Sequence, residues 1–314
     1  MQAARSRLKA FLRWLILGLV LIFLIKTLTD HWQEVVAIRI NAPGYAVLSI
    51  AIGVTLCAHI SAGWVWSWIL QTLNQPTTAV WGIKIYLQTN IAKYLPGNVW
   101  HFYGRISAAT KVGISAEIAI VSVLLEPLLM VIAALLMALL GVQQILSAYG
   151  QLAQLFAIAG LGLGLAIVHP RFLNPLVCYL AKLKQKAVGA SPALTAPMKR
   201  YPIKPLLGEL GFLGLRSLGF ILTFLAIAPL PVDQFPTVMA AFGLAWLTGF
   251  IIPGLPGGIG VFEAVVVALL SSESARLGQR FSTGELLSIV ALYRFVNTLA
   301  EVAGAGLVTL DDRR

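Results

Sequence analysis

Charged residues are scarce in this sequence of 314 residues. Asp, Glu, Lys and Arg make up 11% of it and 59% of the residues are hydrophobic, whereas a soluble chain carries about 25% charged residues. The mean hydropathy is +0.86. This scarcity of charge excludes an ordinary soluble protein and indicates an integral membrane protein. Since no polar block is long enough for a separate soluble domain, we predict a single transmembrane domain over residues 1–314.

Cysteine is rare, and the motifs of soluble enzyme chemistry are missing. The two cysteines, Cys57 and Cys178, have no CxxC spacing, which argues against a disulfide framework and a cysteine metal site. The sequence contains no HExxH, GxSxG or P-loop motif. We therefore expect no cofactor and no metal, and we expect that the chain is not an enzyme of a soluble type.

Long apolar runs are abundant instead. A membrane span needs about 20 apolar residues. We predict seven spans, at residues 12–29, 45–70, 115–142, 150–168, 206–229, 235–252 and 285–309. Two further stretches, 78–112 and 253–272, are interrupted by helix breakers. The predicted fold is all-α and polytopic, with about seven or eight transmembrane helices and two re-entrant or broken helical segments.

The charge is positive overall, with a formal net charge of +11, and it lies mainly between the predicted spans. The loop at about 170–205 contains Lys and Arg but no acid, which indicates a cytoplasmic loop by the positive-inside rule. This loop separates a first half at about 12–168 from a second half at about 206–309. We expect a cytoplasmic N-terminus in the inner membrane of a bacterial-type cell. The basic charge predicts contact with anionic lipid and not with nucleic acid.

Helix breakers mark both interrupted stretches. The sequences KYLPGNVWHFYGR (93–105) and IIPGLPGGIGVFEA (251–264) each contain Leu-Pro-Gly. Proline removes a helical hydrogen bond and glycine tolerates unusual backbone conformations, so such segments must lie within protein or line a wet cavity. The breakers are Pro96, Gly97, Pro253 and Pro256, followed by Gly257, Gly258 and Gly260. Paired interruptions in two halves are typical of a transporter's binding site and are compatible with an internal two-fold repeat.

Charged residues inside the predicted spans form the second set of candidates, because each costs at least about 2.5 kcal/mol at a helix centre. We predict a proton relay or ion pairing for Glu126, Glu263 and Glu301. Which base meets which acid stays open, and Arg294 has the alternative of snorkelling to the interface. A basic cytoplasmic rim is the alternative for Lys93 and Arg105, and a structural bond to a carbonyl is the alternative for Arg216. The predicted headgroup-binding residues are Lys93, Asn98, Arg105, Arg216, Gly257, Gly258, Gly260 and Arg294.

Several of these pieces together resemble a known family. The run LPGNVWHFYGRISAATKVGIS, then Glu126, then PGLPGGIGVFEA and finally LYRFVNTLAEVAGAG resemble the membrane region of lysylphosphatidylglycerol synthase/flippase proteins and their stand-alone relatives, over nearly the whole chain. The resemblance implies a polytopic helical domain that moves an aminoacylated phospholipid across the bilayer. The soluble aminoacyltransferase domain of the two-part synthases is absent, so aminoacyl transfer by this chain alone is not expected.

We therefore predict a flippase-like translocator for an anionic or aminoacylated phospholipid or another lipid-linked headgroup. The headgroup is expected in a polar cavity formed by the two broken segments, held by Arg105, Arg294 and helix-end N–H groups. One alternative is a membrane-embedded enzyme acting on a lipid or lipid-linked sugar, with Glu126 or Glu263 as general base. The other is an accessory subunit that presents lipid to a separate cytoplasmic synthase. The expected partner is thus a membrane phospholipid or a lipid-linked substrate, with or without a lipid-modifying enzyme.

Overall fold

The described part of the protein is built from helices. The computed structural model describes residues 29, 39–94, 99–139, 150–175, 198, 200–251, 260–276 and 281–312, and all regular structure in these ranges is helical, as predicted. The α-helices are α1 (Ala42–Thr72), α2 (Ala79–Asn90), α3 (Trp100–Lys111), α4 (Ala116–Leu139), α5 (Gly150–Ile167), α6 (Ile203–Leu225), α7 (Phe235–Ile251), α8 (Val261–Arg276) and α9 (Thr283–Asp311). A 3₁₀ turn, Ile91–Tyr94, follows α2, and a second 3₁₀ turn, Val232–Gln234, precedes α7.

Five helical stretches are long and apolar enough to cross a membrane, which makes the chain a membrane protein. They are Ala42–Thr72, Ala116–Leu139, Ile203–Leu225, Val232–Ile251 and Thr283–Asp311. They match five of the seven predicted spans to within a few residues. The predicted span at 12–29 lies outside the described residues, apart from Thr29. Helix α5 covers nearly all of the predicted span at 150–168, and Ile158–Ile167 is its apolar stretch among the residues whose side chains the structure describes. The total of seven or eight spans stays a prediction, as do the domain boundaries.

Side-chain caps explain where three of the helices begin. The Asn41 side chain accepts a hydrogen bond from the Gly44 N–H at 2.8 Å at the start of α1, and Thr78 caps α2 in the same way. Helix α9 begins with a capping box, in which the Ser282 hydroxyl accepts from the Glu285 N–H and the Glu285 carboxylate accepts from the Ser282 N–H. Such caps satisfy backbone donors that a helix start leaves unpaired.

Helix α6 lies at the centre of the bundle. It packs along α1 and also contacts α4, α7 and α9. Helix α2 packs on α1, and α3 packs on α4. Helix α8 packs against α7, and α9 packs against α1. A close approach between α1 and α2 depends on Gly63, because a Cβ there would lie 2.6 Å from the Ile83 Cα. Because α6 contacts four other helices, its polar residues face neighbouring helices on several sides.

Helices end and restart at both predicted interruptions. On the first side, α2 gives way to the 3₁₀ turn Ile91–Tyr94, and α3 begins at Trp100. On the second side, α7 ends at Ile251 and α8 begins directly after Gly260, whose φ is 90°. Glycine adopts this left-handed region without strain. The remaining predicted breakers and two glycines of the cavity lie outside the described residues: Pro96, Gly97, Pro253, Pro256, Gly257 and Gly258. Re-entrant geometry and an internal repeat stay predictions.

Candidate functional site: buried charges within the bundle

Buried charged side chains gather in three places in the described structure. The Arg105 cluster comprises Arg105, Glu126 and Glu209 with their aromatic neighbours. The Arg216 cluster comprises Arg216, Tyr293, Lys93, Glu301, His59 and Asn297. The third place is the ion pair of Glu263 and Arg294. Charges inside an apolar bundle are costly and are usually functional or paired, so these groups form the candidate site.

The Arg105 cluster centres on a buried ion pair. The Arg105 Nη1 donates to the Glu126 Oε2, and the two side chains are 3% and 2% exposed. The guanidinium also lies over the rings of Trp66, Tyr86 and Phe102, with 4.6 Å to the centroid of Tyr86. A cation over an aromatic face gains electrostatic stabilisation when it is desolvated. Arg105 is thus neutralised by one carboxylate and enclosed by three rings.

Glu209 on α6 is the unmatched member of this cluster. It is fully buried, and neither carboxylate oxygen has a hydrogen-bond partner in the described structure. The charges of Glu126 and Arg105 both act on it. Sequence reasoning missed Glu209, although the rule that selected Glu126 applies to it equally, because it is an acid inside the predicted span 206–229. It is the most anomalous carboxylate among the described residues.

The Arg216 cluster joins α1, α9 and the 3₁₀ turn through Glu301. The Lys93 Nζ lies 2.5 Å from the Glu301 Oε1, and the Asn297 Nδ2 donates to the same oxygen at 2.9 Å. The His59 Nε2 lies 3.1 Å from the Asn297 Oδ1 and 3.4 Å from the Glu301 Oε1. The other oxygen of Glu301 is buried and has no hydrogen-bond partner in the described structure. The Glu301 carboxylate therefore uses one oxygen for its contacts, while its second oxygen can still accept a hydrogen bond.

Arg216 has a tyrosine and not a carboxylate as its hydrogen-bond partner. Its Nε donates to the Tyr293 hydroxyl at 3.0 Å, and the Tyr293 hydroxyl lies 3.3 Å from the Arg216 carbonyl oxygen. The side chain is buried, with 8% of the residue exposed. Among the described residues Arg216 forms no salt bridge. It is a buried guanidinium with no direct counterion.

The third place lies at the start of α8. The Arg294 Nε lies 2.5 Å from the Glu263 Oε1, and the Glu263 Oε2 accepts a hydrogen bond from the Gly260 N–H. The Arg294 guanidinium lies over the Phe262 ring at 4.9 Å. Its side chain is 25% exposed. Glu263 thus caps its own helix and holds Arg294 near the edge of the bundle.

These pairings answer the question of which acid meets which base. Three of the four cations predicted to bind a headgroup face a carboxylate, and only Arg216 does not form a salt bridge in the described structure. Arg294 and Glu301, seven residues apart on one helix, do not pair with each other but with Glu263 and Lys93. Asn98, predicted for the same cavity, lies outside the described residues. Sequence reasoning also missed His59, Tyr293 and Asn297, although all three lie inside predicted spans.

His101 on α3 is buried beside the Arg105 cluster. Burial lowers the pKa of His101 to about 3, and the positive charges of Arg105 and Lys93 act in the same direction. The ring is therefore neutral at physiological pH. The described residues contain no group of three or more His, Cys, Asp or Glu side chains that could hold a metal ion.

A shallow open groove of about 470 Å³ lies between α1 and α6. Its lining is Trp68, Ile203, Lys204, Leu207 and Gly208. The Lys204 Nζ lies over the Trp68 ring at 4.5 Å. Lys204 is exposed, so it is a surface cation on the same helix as Arg216 and serves as a matched control below.

No protein-family model matches the chain, and no curated protein matches it. The resemblance to the membrane region of lysylphosphatidylglycerol synthase/flippase proteins therefore stays a prediction. Any function must be argued from the buried charges themselves.

Proposed function

We propose that the protein moves an anionic or aminoacylated phospholipid, or another lipid-linked headgroup, from one leaflet of the membrane to the other. One observation carries the proposal: the Arg216 guanidinium is buried on a central apolar helix and forms no salt bridge with any described residue. We place the protein in the inner membrane of a bacterial-type cell with a cytoplasmic N-terminus, following the basic loop at about 170–205.

The chemistry of Arg216 fits a phosphate ligand. A guanidinium offers a planar set of donors that matches phosphate oxygens in pairs, and here only the Nε is used by Tyr293. An unpaired charge inside an apolar bundle costs several kcal/mol, so a bound anion would stabilise the site. This supports Arg216, more than the neutralised Arg105, as the residue that holds the lipid phosphate.

The charge balance of the Arg216 cluster fits one negative charge. Apart from His59, Lys93 and Arg216 contribute two positive charges and Glu301 contributes one negative charge. The phosphodiester of a phospholipid carries a single negative charge and would make the cluster neutral. The open oxygen of Glu301 would also accept a hydrogen bond from the ammonium group of an aminoacylated headgroup.

Two cations at the edge of the bundle are partly exposed. The Lys93 side chain is 17% exposed and the Arg294 side chain 25%, whereas Arg216 lies deeper. A headgroup would meet these partly exposed cations first and Arg216 next, while its acyl chains stay in the surrounding lipid. The Lys93 ammonium can leave Glu301 and bind the phosphate, because the Asn297 side chain still donates a hydrogen bond to Glu301.

The experiment is a leaflet-accessibility assay in reconstituted vesicles. Purified protein is placed in vesicles of phosphatidylcholine and phosphatidylglycerol that contain a fluorescent phosphatidylglycerol probe, and a membrane-impermeant quencher reports the probe that reaches the outer leaflet. We expect the wild type to move the probe faster than protein-free vesicles. Arg216→Gln should slow the movement about tenfold or more, because it removes the guanidinium contact to the lipid phosphate. A loss of about 1.4 kcal/mol in phosphate binding corresponds to a factor of ten in affinity.

The matched control is Lys204→Gln, which removes a cation from the exposed surface of the same helix and should leave the rate unchanged. Arg216→Lys keeps the charge without the planar donors and should fall in between. A wild type that moves the probe no faster than empty vesicles overturns the proposal. So does an Arg216→Gln variant with the wild-type rate.

A further inference from the structure

Helix α6 connects the two buried clusters. Glu209 and Arg216 lie seven residues apart on it, which is about two turns and about 10.5 Å along one face of the helix. Glu209 belongs to the Arg105 cluster and Arg216 to the Arg216 cluster. Two charges at this separation inside a low-dielectric bundle interact by Coulomb's law, which links the two residues.

The charge balance of the Arg105 cluster is opposite to that of the Arg216 cluster. Arg105 supplies one positive charge, which Glu126 already neutralises by direct contact. Glu209 would add a second negative charge at zero exposure, with both oxygens unpartnered in the described structure. A bare carboxylate in this position is costly. The cluster is thus short of one positive charge.

A proton satisfies this deficit better than a metal ion. A divalent metal ion requires several ligands, and the described residues contain no group of three or more His, Cys, Asp or Glu side chains that could hold one. A proton needs one carboxylate oxygen only. The titratable and charged groups around Glu209 in the described structure are Arg105 of α3, Glu126 of α4 and Tyr86 of α2. Helices α1 and α9 contribute instead to the Arg216 cluster, through His59, Tyr293 and Glu301.

We infer that Glu209 is a proton-binding site and that its proton travels together with the lipid; the coupling rests on the proposed function. The Glu209 carboxylate takes up one proton and becomes a neutral carboxylic acid, which brings the Arg105 cluster to zero net charge. A lipid phosphate at Arg216 brings the other cluster to zero. Helix α6 then carries no uncompensated charge and can move within the apolar bundle.

The two binding events favour each other. Protonation removes a negative charge about two turns from the phosphate site, so it strengthens the binding of an anion at Arg216. By thermodynamic reciprocity the bound anion strengthens proton binding at Glu209 by the same factor. Proton and anionic lipid are therefore co-transported in the same direction, and a proton gradient drives the lipid.

The protonation of Glu209 can be tested without measuring lipid movement. Infrared difference spectra between H₂O and D₂O of the purified protein in nanodiscs of phosphatidylcholine and phosphatidylglycerol, in which the lipid ester carbonyls cancel, report the carbonyl stretch of protonated carboxyl groups. At neutral pH we expect such a band in the wild type and its loss in Glu209→Gln, which keeps the shape of the acid. Glu209→Asp should retain the band, and Asp233→Asn, which removes an exposed carboxyl from the 3₁₀ turn Val232–Gln234, should leave it unchanged. A band that is equal in wild type and Glu209→Gln overturns the assignment.

The coupling is tested in the vesicle assay with a pH gradient imposed in either direction. The wild type should move the fluorescent phosphatidylglycerol faster from the acidic side, by up to about tenfold per pH unit for one coupled proton. Glu209→Gln should show equal rates in both directions. Replacing sodium by potassium at constant pH should change nothing, and a sodium requirement would overturn the assignment to a proton.

The outcomes separate the two proposals. If the wild type moves the probe at a rate indifferent to the pH gradient, the coupling is wrong and the translocator proposal stands. If the Glu209 band is present but the wild type moves no lipid, the translocator proposal is wrong and the proton site stands.

Discussion

Tyr293 holds Arg216 at two points. The Arg216 Nε donates to the Tyr293 hydroxyl at 3.0 Å, and this hydroxyl donates to the Arg216 carbonyl oxygen at 3.3 Å. The Tyr293 ring packs edge-on against Phe220 and Phe242. Because the ring is fixed by aromatic neighbours, helix α9 determines where the guanidinium of α6 lies. Arg216 is a positioned cation and not a snorkelling one.

Tyr293→Phe should therefore loosen Arg216 without disturbing the aromatic packing. Loss of a buried hydrogen-bond acceptor costs about 1–3 kcal/mol when its donor stays behind. We expect a lower free energy of unfolding in detergent and a smaller loss of retained phosphatidylglycerol, measured by native mass spectrometry, than in Arg216→Gln. Equal retention in Tyr293→Phe and Arg216→Gln would show that the hydroxyl contacts the lipid itself.

The ion pair of Arg105 and Glu126 should behave as a unit. Removing one partner of a buried pair costs about 3–5 kcal/mol, because the other charge is left uncompensated. Arg105→Met alone should therefore destabilise the protein strongly. The double variant with Glu126→Leu should recover a large part of the loss. Chemical unfolding of the four proteins in a double-mutant cycle measures this coupling, and additive effects would show that the pair is not a unit.

The contact between α1 and α2 should depend on Gly63. A Cβ at this position would lie 2.6 Å from the Ile83 Cα and 2.9 Å from the Tyr86 Cβ, so the two helices must separate to accept it. We expect Gly63→Ala to destabilise the protein by about 1–3 kcal/mol. Gly53→Ala on the same helix is the control, because nothing lies within 4 Å of its Cβ position. Thermal unfolding in detergent distinguishes the two variants, and equal melting temperatures would contradict the packing.

His101 should make stability depend on acid pH. Its folded pKa of about 3 lies below the ordinary value of 6.5, so the folded state favours the neutral ring. The resulting stability is fully present above pH 6.5 and is lost as pH falls from 6.5 toward 3, by at most about 1.4 kcal/mol per pH unit. In His101→Gln this part of the pH dependence should disappear. Unfolding between pH 7 and pH 4 measures it, and identical profiles for both proteins would contradict a buried neutral His101.

Part of the site could be found from single residues. Glu126, Glu263, Glu301, Arg216 and Arg294 stand out because each is a charge inside a long apolar run, and Glu209 and His59 meet the same criterion. Their pairing could not be found in this way. Arg294 and Glu301 share α9, but Glu263 reaches Arg294 from α8 and Lys93 reaches Glu301 from the turn after α2.

The apolar runs alone are enough to predict the helical membrane class and the positions of five long helices. These depend on local properties: an apolar run of sufficient length forms a helix in a membrane, and breakers end it. Three relations depend on how the helices pack: Arg105 faces Glu126, Arg216 bonds to Tyr293, and Glu209 has no hydrogen-bond partner in the described structure. These relations join residues on different helices, and they arise from which helix faces pack together, which the apolar pattern of a single segment does not specify.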